Sequence, residues 1–81
     1  MPYLLIIQER RLSMEYYYLN KNAQPTGEHE IHKASCKFLP HMSNCIKLGY
    51  FYRAYDALIA AKKYYSNVDG CYYCSPEIHK K

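Results

Sequence analysis

Hydrophobic and polar positions along this chain change period several times, and each change marks an element. Residues 15–20, "EYYYLN", are aromatic and β-prone and predict a strand. "KNAQPTG" follows as a loop by its Asn, Pro and Gly content. Residues 28–33, "EHEIHK", predict a strand returning antiparallel, with Glu28, Glu30 and His32 on one face and His29, Ile31 and Lys33 on the other. After an irregular stretch broken by Pro40, residues 46–51 predict a third strand with Ile46, Leu48 and Tyr50 on one face, and Gly49 marks a bulge within it. Apolar residues then recur with a helical period. Ala54, Ala57, Leu58, Ala61, Tyr64 and Tyr65 form one stripe, predicting a helix over residues 53–65 without a good N-cap. Asp69-Gly70 reads as a turn into "CYYC". The expected fold is α+β, a small antiparallel sheet of about three strands carrying one helix.

Residues 1–13 stand apart. "PYLLII" suits a short edge strand, but Met14 directly precedes the first clear strand, so these residues read equally as an upstream extension of a single domain over residues 14–81.

Size then changes the question. In 81 residues, a core rarely supplies more than ~3–5 kcal/mol of net stability, and small domains add disulfides, a metal or a partner subunit. Four cysteines are therefore informative. The opening residues offer only five consecutive apolar positions and no basic residue before them, too few for an export signal or a membrane span. The expected compartment is the cytoplasm, where thiols stay reduced and clustered Cys and His more often bind metal.

Cys71 and Cys74 form a C-x-x-C. A redox pair needs a helix beginning at the motif to lower its thiol pKa, and Ser75-Pro76 follows instead. Zinc suits the spacing, because a tight turn aims both sulfurs at one point about 2.3 Å away. His32 and Cys36, an H-x3-C at the end of the second strand, are the leading donors of the remaining two ligands. His41 and Cys45 form a second H-x3-C, and His79 is a further imidazole; either remains an alternative at this point. Disulfide pairing of the four cysteines, or a purely thiol state, competes with metal.

The order of His32-x3-Cys36, strand, helix and Cys71-x2-Cys74 resembles the Ada-like metal-binding domains, whose namesake is the zinc domain of the Ada DNA-repair methyltransferase. The chain is also similar to small stand-alone bacterial proteins carrying "YYYLNKN" and "NVDGCYYC" stretches. The resemblance, spanning residues 15–79, implies a zinc-stapled fold with His32, Cys36, Cys71 and Cys74 as ligands. In that family the first position of the quartet is a cysteine that accepts a methyl group. His32 stands there in this chain, and an imidazole is not that sulfur nucleophile. The implied activity is therefore absent while the metal site is kept.

Charge and motifs bound the function. No glycine-rich phosphate loop, G-x-S-x-G or H-E-x-x-H occurs, and a zinc with four protein ligands has no open position for catalysis. The expectation is a non-enzymatic binding module with an unidentified protein partner. Nucleic acid is the alternative partner, on a net charge of +4 and eleven tyrosines.

Overall fold

The computed structural model describes residues 13–81. The expectations for residues 1–12 lie outside the described residues; Ser13 precedes the first strand without regular structure.

Four strands form one mixed sheet. They are β1 (Glu15–Asn20), β2 (His29–Lys33), β3 (Cys45–Phe51) and β4 (Val68–Gly70), in the spatial order β3-β1-β2-β4. β1 pairs antiparallel with both β2 and β3, while β4 pairs parallel with β2. The expected antiparallel sheet of about three strands is corrected here. Asp69-Gly70, read as a turn, belongs with Val68 to a short strand that ladders onto β2 through His29–Val68, Glu30–Asp69 and Ile31–Gly70.

Alternation along β1 divides the sheet into two faces. Tyr17, Leu19 and Ile31 point to one side and pack with Ala54, Ala57, Leu58 and Ala61 of α1 (Ala54–Ala61), the one α-helix among the described residues. Ile78, from a 3-10 turn over Pro76–Ile78, closes this core. Small alanines allow the short helix to approach the sheet closely.

Helix α1 is shorter than its apolar stripe predicts. The carbonyl of Ala61 accepts from the N–H groups of both Tyr64 and Tyr65, so the chain tightens and leaves the helix. Tyr64 consequently lies 54% exposed rather than in the stripe. Tyr65 instead stacks on His29, ring planes 1° apart and centroids at 3.6 Å. As expected, the N-cap Arg53 makes no side-chain capping bond.

Strand β3 carries the expected bulge at Gly49. Its register shifts against β1, with Tyr17 opposite Gly49 and Tyr18 opposite Lys47, leaving Leu48 extra. Gly49 has φ +118°, a conformation that favours glycine. The shift also corrects one assignment. Ile46 and Leu48 pack on the core, but beyond the bulge Phe51 takes the inward place and Tyr50 is exposed.

The second face carries Tyr16, Tyr18, Tyr50 and His32, since Tyr16 sits opposite Tyr50 and Tyr18 opposite His32. It faces away from the helix, and the candidate site is built at its β2–β4 edge.

Candidate metal centre

Strand β2 delivers the first side chain. His32 follows core residue Ile31, so its ring projects from the opposite face, yet it is only 2% exposed. One residue beyond the strand the chain turns. The N–H of Ala34 donates to Tyr16 O, that of Cys36 to Lys33 O, and that of Leu39 to Cys36 O. These bonds fold Cys36 back beside the strand end.

Strand β4 delivers the other two. The N–H of Cys71 donates to Ile31 O and extends the parallel ladder by one bond. The chain then closes on itself, with Ser75 N–H donating to Cys71 O at 2.9 Å. Gly70 is required by this closure rather than by its φ. A Cβ there would meet Ile78 Cγ1 and would lie 2.6 Å from the Ser75 carbonyl oxygen.

The four predicted residues come together. One ligand atom each from His32, Cys36, Cys71 and Cys74 lies within 4.8 Å of all the others. Cys36 Sγ and Cys71 Sγ are 3.9 Å apart. Two thiolates on a tetrahedral zinc, each at 2.3 Å, would be separated by about 3.8 Å. The sulfurs are therefore spaced as ligands of one ion, and all four cysteines of the chain are free thiols, none bonded to another.

Two further observations fit a cation at this point. Buried His32 Nδ1 has no hydrogen-bond partner. A buried nitrogen left unpaired costs ~1–3 kcal/mol, a cost that a metal bond would remove. The other ring nitrogen, Nε2, is 3.5 Å from Glu30 Oε1. This is the common arrangement for a ligating histidine, a carboxylate on one nitrogen and the metal on the other.

Protein donors already favour a thiolate here. Burial opposes ionisation of Cys74, but the neighbouring His32 ring, Ser75, the Lys33 N–H and Cys36 outweigh it and pull its pKa down to about 6. The Lys33 N–H lies 3.3 Å from Cys74 Sγ, and Ser75 Oγ lies 3.5 Å from it. Burial pushes its neighbour Cys36 the other way, up to about 12. Cys74 is thus favoured as the thiolate and Cys36 as the thiol. A divalent ion would supply the charge that lets all three ionise.

The alternative donors are used elsewhere. His41 is exposed and caps the Met42–Asn44 turn by accepting from Ser43 N–H. Cys45 is buried and its thiol points to Pro40 O at 3.5 Å. His79 Nδ1 lies 2.9 Å from Gly70 O and 3.0 Å from buried Asp69 Oδ2, tying down the C-terminal residues. Asp69 also accepts from the N–H groups of Lys80 and Lys81.

Glu30, Ser75 and the Lys33 N–H were not among the predicted site groups. Glu30 was legible in principle, because it lies two residues before His32 on the same strand face. A cleft of about 340 Å³ opens beside the cluster, where Glu30, His32 and Cys71 meet the rings of Phe38, Tyr72 and Tyr73. Asn20 and Gln24 complete its lining.

No family model, curated protein or solved structure matches this chain. What the geometry defines directly is a small α+β protein whose Cys3His cluster could hold a metal ion. Among the described residues, no helix is long and apolar enough to cross a membrane.

Proposed function

We propose that His32, Cys36, Cys71 and Cys74 hold a structural zinc ion, and that the protein is a non-enzymatic binding module of Ada-like type organised around it. The observation that carries this reading is the convergence of four donors, drawn from two segments 34 residues apart, within 4.8 Å. Three sulfurs and one imidazole are a common structural zinc set, and four protein ligands leave no position for a reacting water. Softer thiolate donors disfavour magnesium and calcium. The module works in the reducing cytoplasm, which keeps the sulfurs available to the ion.

The ion acts as a staple between the end of β2 and the loop after β4. Structural zinc contributes an apparent ~10–16 kcal/mol to folding, several times what so small a core supplies. Chelator added to zinc-loaded protein should therefore abolish its circular dichroism and its thermal transition, and zinc should restore both. Retention of the full spectrum after complete metal removal would refute the staple.

A nucleic-acid-binding role is the second reading. It is favoured by the tyrosine cluster on the sheet face away from α1, where Tyr16 lies 4.9 Å from Tyr18 and 4.8 Å from Tyr50, centroid to centroid. Such rings can stack on unpaired bases. His32 excludes methyl acceptance at its position in this reading as well. A mobility shift with single-stranded DNA or RNA that weakens with salt supports it; no shift at low salt removes it.

A further inference from the structure

We infer that the cleft beside the cluster is a binding site for an organic cation, an ammonium or guanidinium head group. The inference deepens the binding-module reading and rests on it for the charge of the metal site.

The chain as a whole is +4, but among the described residues no Lys or Arg lines this cleft. Three thiolates, one neutral imidazole and one zinc ion sum to about −1. Glu30, which shares the cleft, adds a second negative charge. A phosphate or carboxylate would enter against both, whereas a cation would be attracted by both.

The walls agree with that sign. Tyr72 and Tyr73 meet nearly edge to face, 78° between planes with centroids at 5.2 Å, and so present two differently oriented ring faces. Phe38 leans on Tyr73 at 4.6 Å. These rings are among the exposed large side chains, at 48% for Phe38, 64% for Tyr72 and 67% for Tyr73. Ring faces attract cations through their quadrupole, and a carboxylate beside them adds direct pairing. The chain's own Lys37 already places Nζ 5.3 Å from the Phe38 ring centroid, an internal example of the same contact.

The metal site makes the cleft specific. Tyr72 and Tyr73 are the two residues between the C-x-x-C cysteines, so a zinc ion held by Cys71 and Cys74 would fix the backbone that carries both rings before a ligand arrives. Volume limits the guest. About 340 Å³ is near the lower end of ligand pockets and suits a head group rather than a large cofactor.

The test uses zinc-loaded full-length protein, with metal content measured on every sample. Choline and methylguanidinium are titrated while amide NMR shifts are followed, beside the neutral tert-butyl analogue of choline and adenosine monophosphate. At least one cation should shift Glu30, Phe38, Tyr72 and Tyr73 saturably. Choline should bind about tenfold more tightly than its neutral analogue, because shape is shared and only charge differs. Tyr73→Leu should weaken cation binding about tenfold at unchanged zinc content. Equal binding of choline and its neutral analogue, tighter binding of adenosine monophosphate at the same residues, or no cation binding to zinc-loaded protein would each overturn the inference. Protein that never takes up zinc would instead defeat the metal reading on which it rests.

Discussion

Gly70→Ala is the substitution whose cost follows most directly from the structure. An added Cβ would overlap Ile78 Cγ1 and stand 2.6 Å from the backbone oxygen of Ser75. The Ile78 side chain can turn aside. Ser75 O cannot move so readily, because it accepts the Ile78 N–H, and the Ser75 N–H closes the cysteine loop onto Cys71 O. Relief therefore requires displacing residues 71–75 and both sulfurs on them. Overpacking of this kind costs ~1–3 kcal/mol, and a backbone obstacle places it at about 2–3 kcal/mol. Folding and metal binding are linked, so the same energy appears as an apparent zinc affinity weakened about 30- to 150-fold. The assay is competition against a colorimetric chelator, paired with the visible spectrum of the cobalt-substituted protein. Gly49→Ala is the comparison. Its Cβ meets nothing closer than 3.8 Å, and φ +118° makes it strained all the same. That variant should lose about 1–2 kcal/mol and keep the wild-type cobalt spectrum, whereas Gly70→Ala should shift the cobalt bands. Wild-type affinity and spectrum in Gly70→Ala would refute the close approach on which the reasoning stands.

Three other outcomes are expected. Glu30→Ala removes the carboxylate beside His32 Nε2 and should weaken zinc binding about 10- to 100-fold by chelator competition, while Glu30→Gln, which still offers an acceptor, loses much less. Asp69→Ala strips acceptors from Lys80 N–H, Lys81 N–H and His79; a loss of about 1.5–3 kcal/mol in denaturant unfolding is expected, with amide exchange quickening at residues 79–81. Tyr17 is held neutral, first by burial and then by the charges of Glu77, Glu15 and Cys74, which raise its pKa from 10.0 to about 12. Its stabilisation is complete below the unfolded value and is lost as pH rises through the folded one. Between pH 10 and 12 zinc-loaded protein should thus lose stability progressively in denaturant unfolding, one phenol ionising late by ultraviolet absorbance and Tyr17→Phe lacking that step.

Much of the fold was legible because local pattern and tertiary environment agree. β1 spans Glu15–Asn20, the bounds its β-prone run predicts, and alternation in β2 set His32 on the face opposite Ile31. Legibility failed where a distant partner decided. A three-residue strand such as β4 carries too little periodicity to announce itself, and its parallel pairing joins residues 39 positions apart, as His29 with Val68. Tyr50 was placed inward because a period of two ignores a bulge. The bulge itself was visible in Gly49, but not the side on which the extra residue would fall. Tyr64 kept the helical period after the helix had ended, and only the doubly used Ala61 carbonyl reveals that.

The candidate cluster was legible in its four residues and obscure in its surroundings. Two H-x3-C doublets have the same spacing, so spacing could not choose between them. Position at a strand end, and the resemblance to Ada-like domains, favoured His32 and Cys36. The structure brings that pair to Cys71 and Cys74 and sets His41 and Cys45 to local tasks. The cleft was not foreseeable, since Asn20, Gln24, Phe38 and the Tyr72-Tyr73 pair approach one another only through the sheet and its loops.

All of this depends on three sulfurs and one ring nitrogen sharing a single ion. X-ray absorption at the zinc edge, on protein purified without added metal, addresses that most directly. One zinc per chain is predicted, with three sulfurs at about 2.3 Å and one nitrogen at about 2.0–2.1 Å. Folded protein without stoichiometric zinc, or zinc surrounded by oxygen donors, would contradict the account.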